Sequence, residues 1–317
     1  VDEDELVDYE QQVRRSVAAD LRTILDQLHA TLTAVYVVTA GSTRHKLPPH
    51  AQETIRRHLL DALDRIQAGT SYARTRATLR GAARSAIAAG GEGTGLGVPI
   101  GPTTPLDIRA ALTALTAGMR GDLLTAGRLA RHGRLERYGD VVGVIMAARK
   151  ALNRAERTAA WTVHRAHNEG VRRAVDKAWS QGVDVSRMWR SERSACVRCA
   201  GFNGALAAVG DDFLPVVDVA DFSGGHGPAA GPPLHPWCKC SEEPWFGPVS
   251  DEELTPLDLP YALRREAQRA IATGQAQGSE PARLRAAGRL VGLDDLLIPK
   301  TVRKRAAGAV AAGTFDR

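Results

Sequence analysis

All four cysteines of this 317-residue chain fall between Cys196 and Cys240, in two short clusters. The first is Cys196-Val197-Arg198-Cys199. The second is His235-Pro236-Trp237-Cys238-Lys239-Cys240. A CxxC turn aims two sulfurs at one point, as a tetrahedral zinc ion requires. Pro236 pushes His235 toward extended backbone. On a strand, residues two apart face the same way, so Cys238 and Cys240 can both point at a metal. Five donors are then present for four positions. Cys196, Cys199, His235 and one of Cys238 and Cys240 would close a structural zinc site with no position left for water, and catalytic zinc is not expected. Two other arrangements fit the same spacing: disulfides that staple the loop, and reduced thiols that are simply buried. His226, in a Gly-rich loop, is read as exposed and not as a ligand.

Around this constellation the chain reads as α+β, mostly helical, with helical N- and C-terminal arms flanking a small Cys/His-knotted β-rich unit. Residues 1–89 are expected to form the N-terminal helical arm. Leu6, Tyr9, Val13, Val17, Leu21, Ile24, Leu28 and Leu32 recur at steps of three and four, which predicts a long amphipathic helix. Pro48-Pro49 opens a second helix with Ile55, Leu59, Leu63 and Ile66 on one face. A third runs through Tyr72, Leu79 and Ile87. Residues 90–105 are rich in Gly and Pro and read as a linker. They carry neither GxxxxGK[ST] nor GxGxxG, so no nucleotide cradle is expected.

Residues 106–250 are expected to form the core. Helical pattern resumes at Asp107, and a long helix is predicted from about Asp140 to Ser180, with Gly182 as its stop. Val183–Trp189, Ala205–Val209, Leu214–Val219 and Trp237–Ser241 are strand candidates. Residues 251–317 form a basic C-terminal arm, with helices expected over Leu263–Thr273, Ala282–Leu290 and from Val302.

The core resembles the Mu F-like head morphogenesis, or minor head protein, family of tailed bacteriophages. The match rests on Arg157-Thr158, Asn168-Glu169-Gly170, Trp189, Cys196 and Cys199, Gly204, and the run Pro232 to Cys240. It covers about residues 140 to 245. Ala159 stands where the family usually carries Glu, and Lys239 where Arg is common. The resemblance implies a low-copy virion protein in the phage head, made in the host cytoplasm. It would associate with the portal protein or major capsid protein, as an oligomer in one version, and act in head assembly, DNA packaging or DNA delivery. The family fold has been linked to ADP-ribosyltransferase-like domains. Such chemistry needs a carboxylate at the reacting centre, and Ala159 cannot supply one. Glu169 and Glu192 are read as solvated. With no GxSxG or HExxH either, no enzyme is expected, and a degenerate transferase is the weakest alternative.

The net charge of +6 is unevenly placed. The chain opens with Asp2, Glu3, Asp4, Glu5, Asp8 and Glu10, whereas Lys and Arg outnumber acids beyond Tyr261. Lys300, Arg303, Lys304 and Arg305 are candidate contacts to packaged DNA, in a nonspecific DNA-binding alternative, or else a solvated face. No apolar run approaches a membrane span. The acidic start lacks a signal-peptide layout, so secretion by that route is not expected. The stripe from Leu6 to Leu32 offers a docking face for a partner subunit, or the seam of its own helical unit.

Overall fold

A computed structural model describes residues 3–101, 103–192, 195–216, 227–235, 237–247, 288 and 300–313. The chain is α+β and mostly helical. Five long helices come first: α1 (Glu3–Ala40), α2 (Pro49–Gly69), α3 (Tyr72–Gly93), α4 (Leu106–His132) and α5 (Tyr138–Ser180). Then follow β1 (Ser186–Arg190), the short turn of helix α6 (Val197–Ala200), β2 (Leu206–Ala207), β3 (Ser241–Trp245) and α7 (Lys300–Ala312). No described helix is long and apolar enough to cross a membrane.

The chain divides into two compact units. Unit 1 comprises residues 1–85 and 102–166, and unit 2 comprises residues 86–101 and 167–317. The division passes through α3 and α5, not through the Gly/Pro stretch. Residues 1–89 are therefore not a separate arm, and 90–105 is not a linker throughout.

Unit 1 is built on the expected amphipathic spacing. Leu6, Val13, Leu21, Leu28 and Leu32 of α1 are buried, as are Ile55, Leu59, Leu63 and Ile66 of α2. Leu79 of α3, Ile108, Leu112 and Met119 of α4, and Val141, Val144 and Ile145 of α5 are buried in the same unit. Most of the α1 stripe is thus used inside its own unit and does not remain as a docking face. Polar ties supplement it. Glu10 and His164, both buried, meet at 3.1 Å. Arg154 pairs with Asp122 at 2.8 Å, and Tyr36 donates to the carbonyl of His45 at 2.6 Å.

In unit 2, α3 runs on through Gly90 and Gly91, which composition marks as breakers. The physical reason is close approach. A Cβ on Gly90 would lie 2.1 Å from the His167 carbonyl oxygen, and one on Gly170 would lie 2.1 Å from that of Ile87. The two glycines let the backbones of α3 and α5 touch, which no side chain permits. The end of α5 turns at Gly182, φ +87.

A three-stranded antiparallel sheet follows, in the order β2-β1-β3. In the central strand β1, Arg187, Met188 and Trp189 are all buried. All three strands differ from the sequence expectation: β1 begins at Ser186, β2 is only Leu206–Ala207, and β3 begins at Ser241, after the cysteines, sharing one residue with the span expected for it. The Leu214–Val219 candidate is no strand in its described part. Phe213 instead makes a single bridge to Ala229. The two tail helices expected over 263–273 and 282–290 lie outside the described residues, apart from Gly288. So do His226 and residues 217–219.

We expect Gly170→Ala to destabilise the protein by about 1–3 kcal/mol, because backbone must move to admit the methyl group. Gly121→Ala, in open space on α4, should instead stabilise by roughly 0.5–1 kcal/mol through helix propensity. Denaturant midpoints compare the two, and equal effects would refute the close-contact account.

Candidate metal centre

The two cysteine clusters are brought together by two turns. In the first, α6 winds Cys196 and Cys199 onto one side, with the Ala200 amide donating to the Cys196 carbonyl at 2.9 Å. In the second, the Cys238 amide donates to the His235 carbonyl at 3.0 Å. Trp237 takes a positive φ of 74° inside that turn. Cys238 and Cys240 therefore reach the centre from a turn and an extended lead-in, not from a strand.

The five expected donors converge in two overlapping triads, Cys196/Cys199/His235 and Cys199/Cys238/Cys240. Cys199 belongs to both. Its Sγ lies 3.6 Å from that of Cys196 and 3.5 Å from that of Cys238. His235 Nε2 lies 3.1 Å from the Cys196 sulfur and 3.3 Å from the Cys199 sulfur. A disulfide needs about 2.05 Å, so all four cysteines are free thiols. The edges of a zinc tetrahedron with bonds of about 2.3 Å to sulfur and about 2.0 Å to nitrogen run to roughly 3.5–3.8 Å. The observed separations sit just inside that size, so the donor set fits a soft or borderline metal ion.

The proton balance of the cluster favours a cation as well. Its hydrogen bond with Cys199, helped by that with His235, draws the Cys196 thiol down to about 4. Hydrogen bonding from Cys199 also holds Cys238 well below the usual thiol range. Cys199 itself is pushed up by its bonds to Cys196, Cys238 and Cys240. For Cys240 the bond from Cys199 acts downward, but its bond to Cys238 and burial prevail and leave it at about 12. Two thiolates in a buried site are costly unless a positive ion joins them.

The centre rests on an aromatic floor and a polar clamp. Trp189, fully buried, stacks on Phe202 with centroids 4.7 Å apart and meets Phe213 edge-on at 5.4 Å. Gly204, φ +79, turns the chain back so that its amide reaches the Trp189 carbonyl. The clamp is Asn168 of α5. Its amide nitrogen donates to the carbonyls of Cys240 at 3.0 Å and Pro232 at 3.3 Å, and its oxygen accepts from the Glu242 amide at 2.9 Å. Glu242, buried, accepts from Arg172 at 2.8 Å and Arg187 at 3.2 Å. Burial pushes its carboxyl up, against the pull of the two guanidiniums. Sequence reasoning did not single out Arg172, Arg187 and Glu242. Their one signal was that Asn168 and Arg172 share a face of α5.

The remaining candidates are placed as follows. Ala159 is fully buried, and no carboxylate stands there. Glu169 is not solvated as expected: its side chain is 15 % exposed and pairs with Arg173 at 3.0 Å. Lys300, Arg303, Lys304 and Arg305 fall in α7. Of these four side chains only Lys304 is described, and it is exposed. No protein-family model, no curated protein and no solved structure matches the chain.

Asn168→Ala strands two buried carbonyls and a buried amide, and should cost at least about 1–3 kcal/mol. Hydrogen exchange of residues 237–245 would register it as faster exchange, with the α1 and α2 amides unchanged. Unaltered protection in that segment would show that the clamp is dispensable.

Proposed function

We propose that this chain is a minor head protein of a tailed bacteriophage, a non-enzymatic part of the head interior or portal region that acts in head assembly and DNA packaging or delivery. The observation that carries this reading is the shared purpose of the motif residues. Asn168, Gly170, Trp189, Cys196, Cys199, Gly204, His235, Cys238 and Cys240 are spread over the core sequence, yet each holds one unit together. Asn168 ties down the second cysteine cluster. Gly170 lets α5 lie on α3. Trp189 fills the floor, and Gly204 makes the return. A pattern of structural residues around a Cys/His knot is what a resemblance to this family predicts, and it is a poor pattern for an active site.

The metal of this reading is one structural zinc. Cys196, Cys199 and His235, completed by Cys238 or Cys240, would hold it. Zinc would supply a cross-link between two turns, worth on the order of 10 kcal/mol in small zinc modules. Thiolate and imidazole donors suit zinc better than magnesium or calcium, which prefer oxygen. The buried Ala159 removes the carboxylate that a transferase would need, which supports a structural role over a degenerate enzyme. The partners of this reading are the portal protein, the major capsid protein, or both.

Two measurements test it. Elemental analysis of protein purified under reducing conditions should give about one zinc per chain, with thiols reactive only after chelation and denaturation. Cys199→Ser should remove the zinc and open residues 186–247 to protease while α1, α2 and α4 resist. Co-expression with portal and shell proteins of the same phage should place the chain in procapsids. Its absence from purified procapsids would refute the head-protein reading, and a metal-free knot that resists protease would refute the zinc.

A further inference from the structure

Several arginines elsewhere in unit 1 sit in ion pairs, whereas others, Arg15 and Arg57 among them, are exposed and unpaired. Arg14 meets Glu10, Arg22 meets Glu156, Arg149 meets Asp26, and Arg165 meets Asp107. Helix α3 stands out by density: it carries Arg74, Arg76, Arg80 and Arg84, and its one acid, Glu92, lies in the last turn. Arg80 and Arg84 are exposed and Arg76 is partly exposed. Among the described residues, none of these three side chains has a hydrogen-bond or ion-pair partner.

Their spacing of four residues sets the guanidiniums in a row along one side of the helix, with a rise of about 6 Å per step. That is close to the axial rise of two phosphates along one strand of duplex DNA, about 3.4 Å each. The exposed positions beside the row are small: Ala77, Gly81, Ser85 and Ala88. Nothing lies within 4 Å of a Cβ built on Gly81, so a phosphate backbone can approach closely. At the N-terminal end of α3, the guanidinium of Arg120 from α4 lies 4.8 Å over the Tyr72 ring and adds a further exposed cation.

We propose that this face of α3 binds the sugar–phosphate backbone of duplex DNA without reading its sequence. Arginine is suited to the contact because its fork pairs with phosphate through two hydrogen bonds. The row is matched to the axial spacing of phosphates along one strand, so its contacts are assigned to the backbone, where they position and do not specify. No large apolar residue of α3 is exposed. A membrane-binding helix needs an apolar face, and a protein interface needs apolar or aromatic anchors, so neither of those partners fits as well.

The test uses the full chain and a fluorescent mixed-sequence duplex, with anisotropy read between about 50 and about 200 mM salt. The triple variant Arg76→Gln/Arg80→Gln/Arg84→Gln should bind more weakly. Its log–log salt slope should fall by about 2.7, at about 0.9 per phosphate contact. Over that salt range its affinity should change about 40-fold less than that of the wild type. Lysine at the same three positions should keep the slope. Unchanged circular dichroism checks the fold. Should the triple variant lose helix, Arg80→Gln/Arg84→Gln replaces it, with an expected slope change of about 1.8. The proposal is overturned if the wild type does not bind the duplex, or if it binds phosphatidylserine vesicles in preference. It is also overturned if Arg303→Gln/Lys304→Gln/Arg305→Gln carries the whole loss while the α3 variant binds like wild type. None of these results bears on whether the chain enters procapsids, so the head-protein reading stands or falls separately.

Discussion

Cys199 is the point on which unit 2 turns. It is the sulfur shared by both donor triads, and it is almost wholly buried. The segment around it has three short strands and a single helical turn. So little regular structure buries too little apolar surface to offset the entropy of ordering it. Two features compensate. The aromatic cluster of Trp189, Phe202 and Phe213 concentrates large side chains at one spot. The donor cluster then links the turn after β1 to the turn before β3. The sheet pairing of β1 with β3 already brings these two turns near one another, and a bond through the centre would fix them at close range.

The knot also depends on the helices beneath it, and here the requirement is for polar groups at fixed depth. Gly90 and Gly170 bring α3 and α5 into backbone contact, which sets how α5 lies in its unit. Asn168, two residues before Gly170, then reaches three backbone groups of the second cysteine cluster. A buried amide with all its partners is strongly directional, and a partly satisfied one is costly. The same holds for Glu242 between Arg172 and Arg187. Replacing such a cluster with apolar groups is often neutral for stability. Here it ties α5 to β3, which begins directly after Cys240.

Much of this was legible in the sequence, for reasons that are local. CxxC and CxC spacings restrict where sulfurs can point, so the donors could be named before any coordinates. Apolar periodicity located α1, α2, α4 and α5, although α1 and α4 run on past the last apolar positions that marked them. What was not legible depends on distant neighbours. Gly90 and Gly91 look like breakers in isolation, and only the approach of α5 explains why the helix continues. Charged Arg172, Arg187 and Glu242 resemble any solvated surface residues, because nothing local reports that two guanidiniums and a carboxylate will be buried together. The lead-in of Cys240 was misread as strand because the turn at Trp237, with its positive φ, carries no Gly or Asn to announce it. The stripe of α1 was readable as apolar, but whether a partner or its own unit would cover it was not.

The division of charge follows from the same logic. Near the knot in unit 2, buried Arg187 and half-buried Arg172 are paired, and their charge also orients backbone: both donate to the Ala230 carbonyl as well as to Glu242. Where arginine lies on the outer row of α3, pairing is absent, although acids are abundant in α1 of the same unit. Isolated surface ion pairs add little stability, about 0–1 kcal/mol, so folding alone gives small reason either to make or to avoid them. A row of unpaired arginines raises the local positive potential, which attracts a polyanion from a distance. The knot and the arginine row therefore answer different demands. One gives a small segment a single shape, and the other leaves a helix face free to meet phosphate.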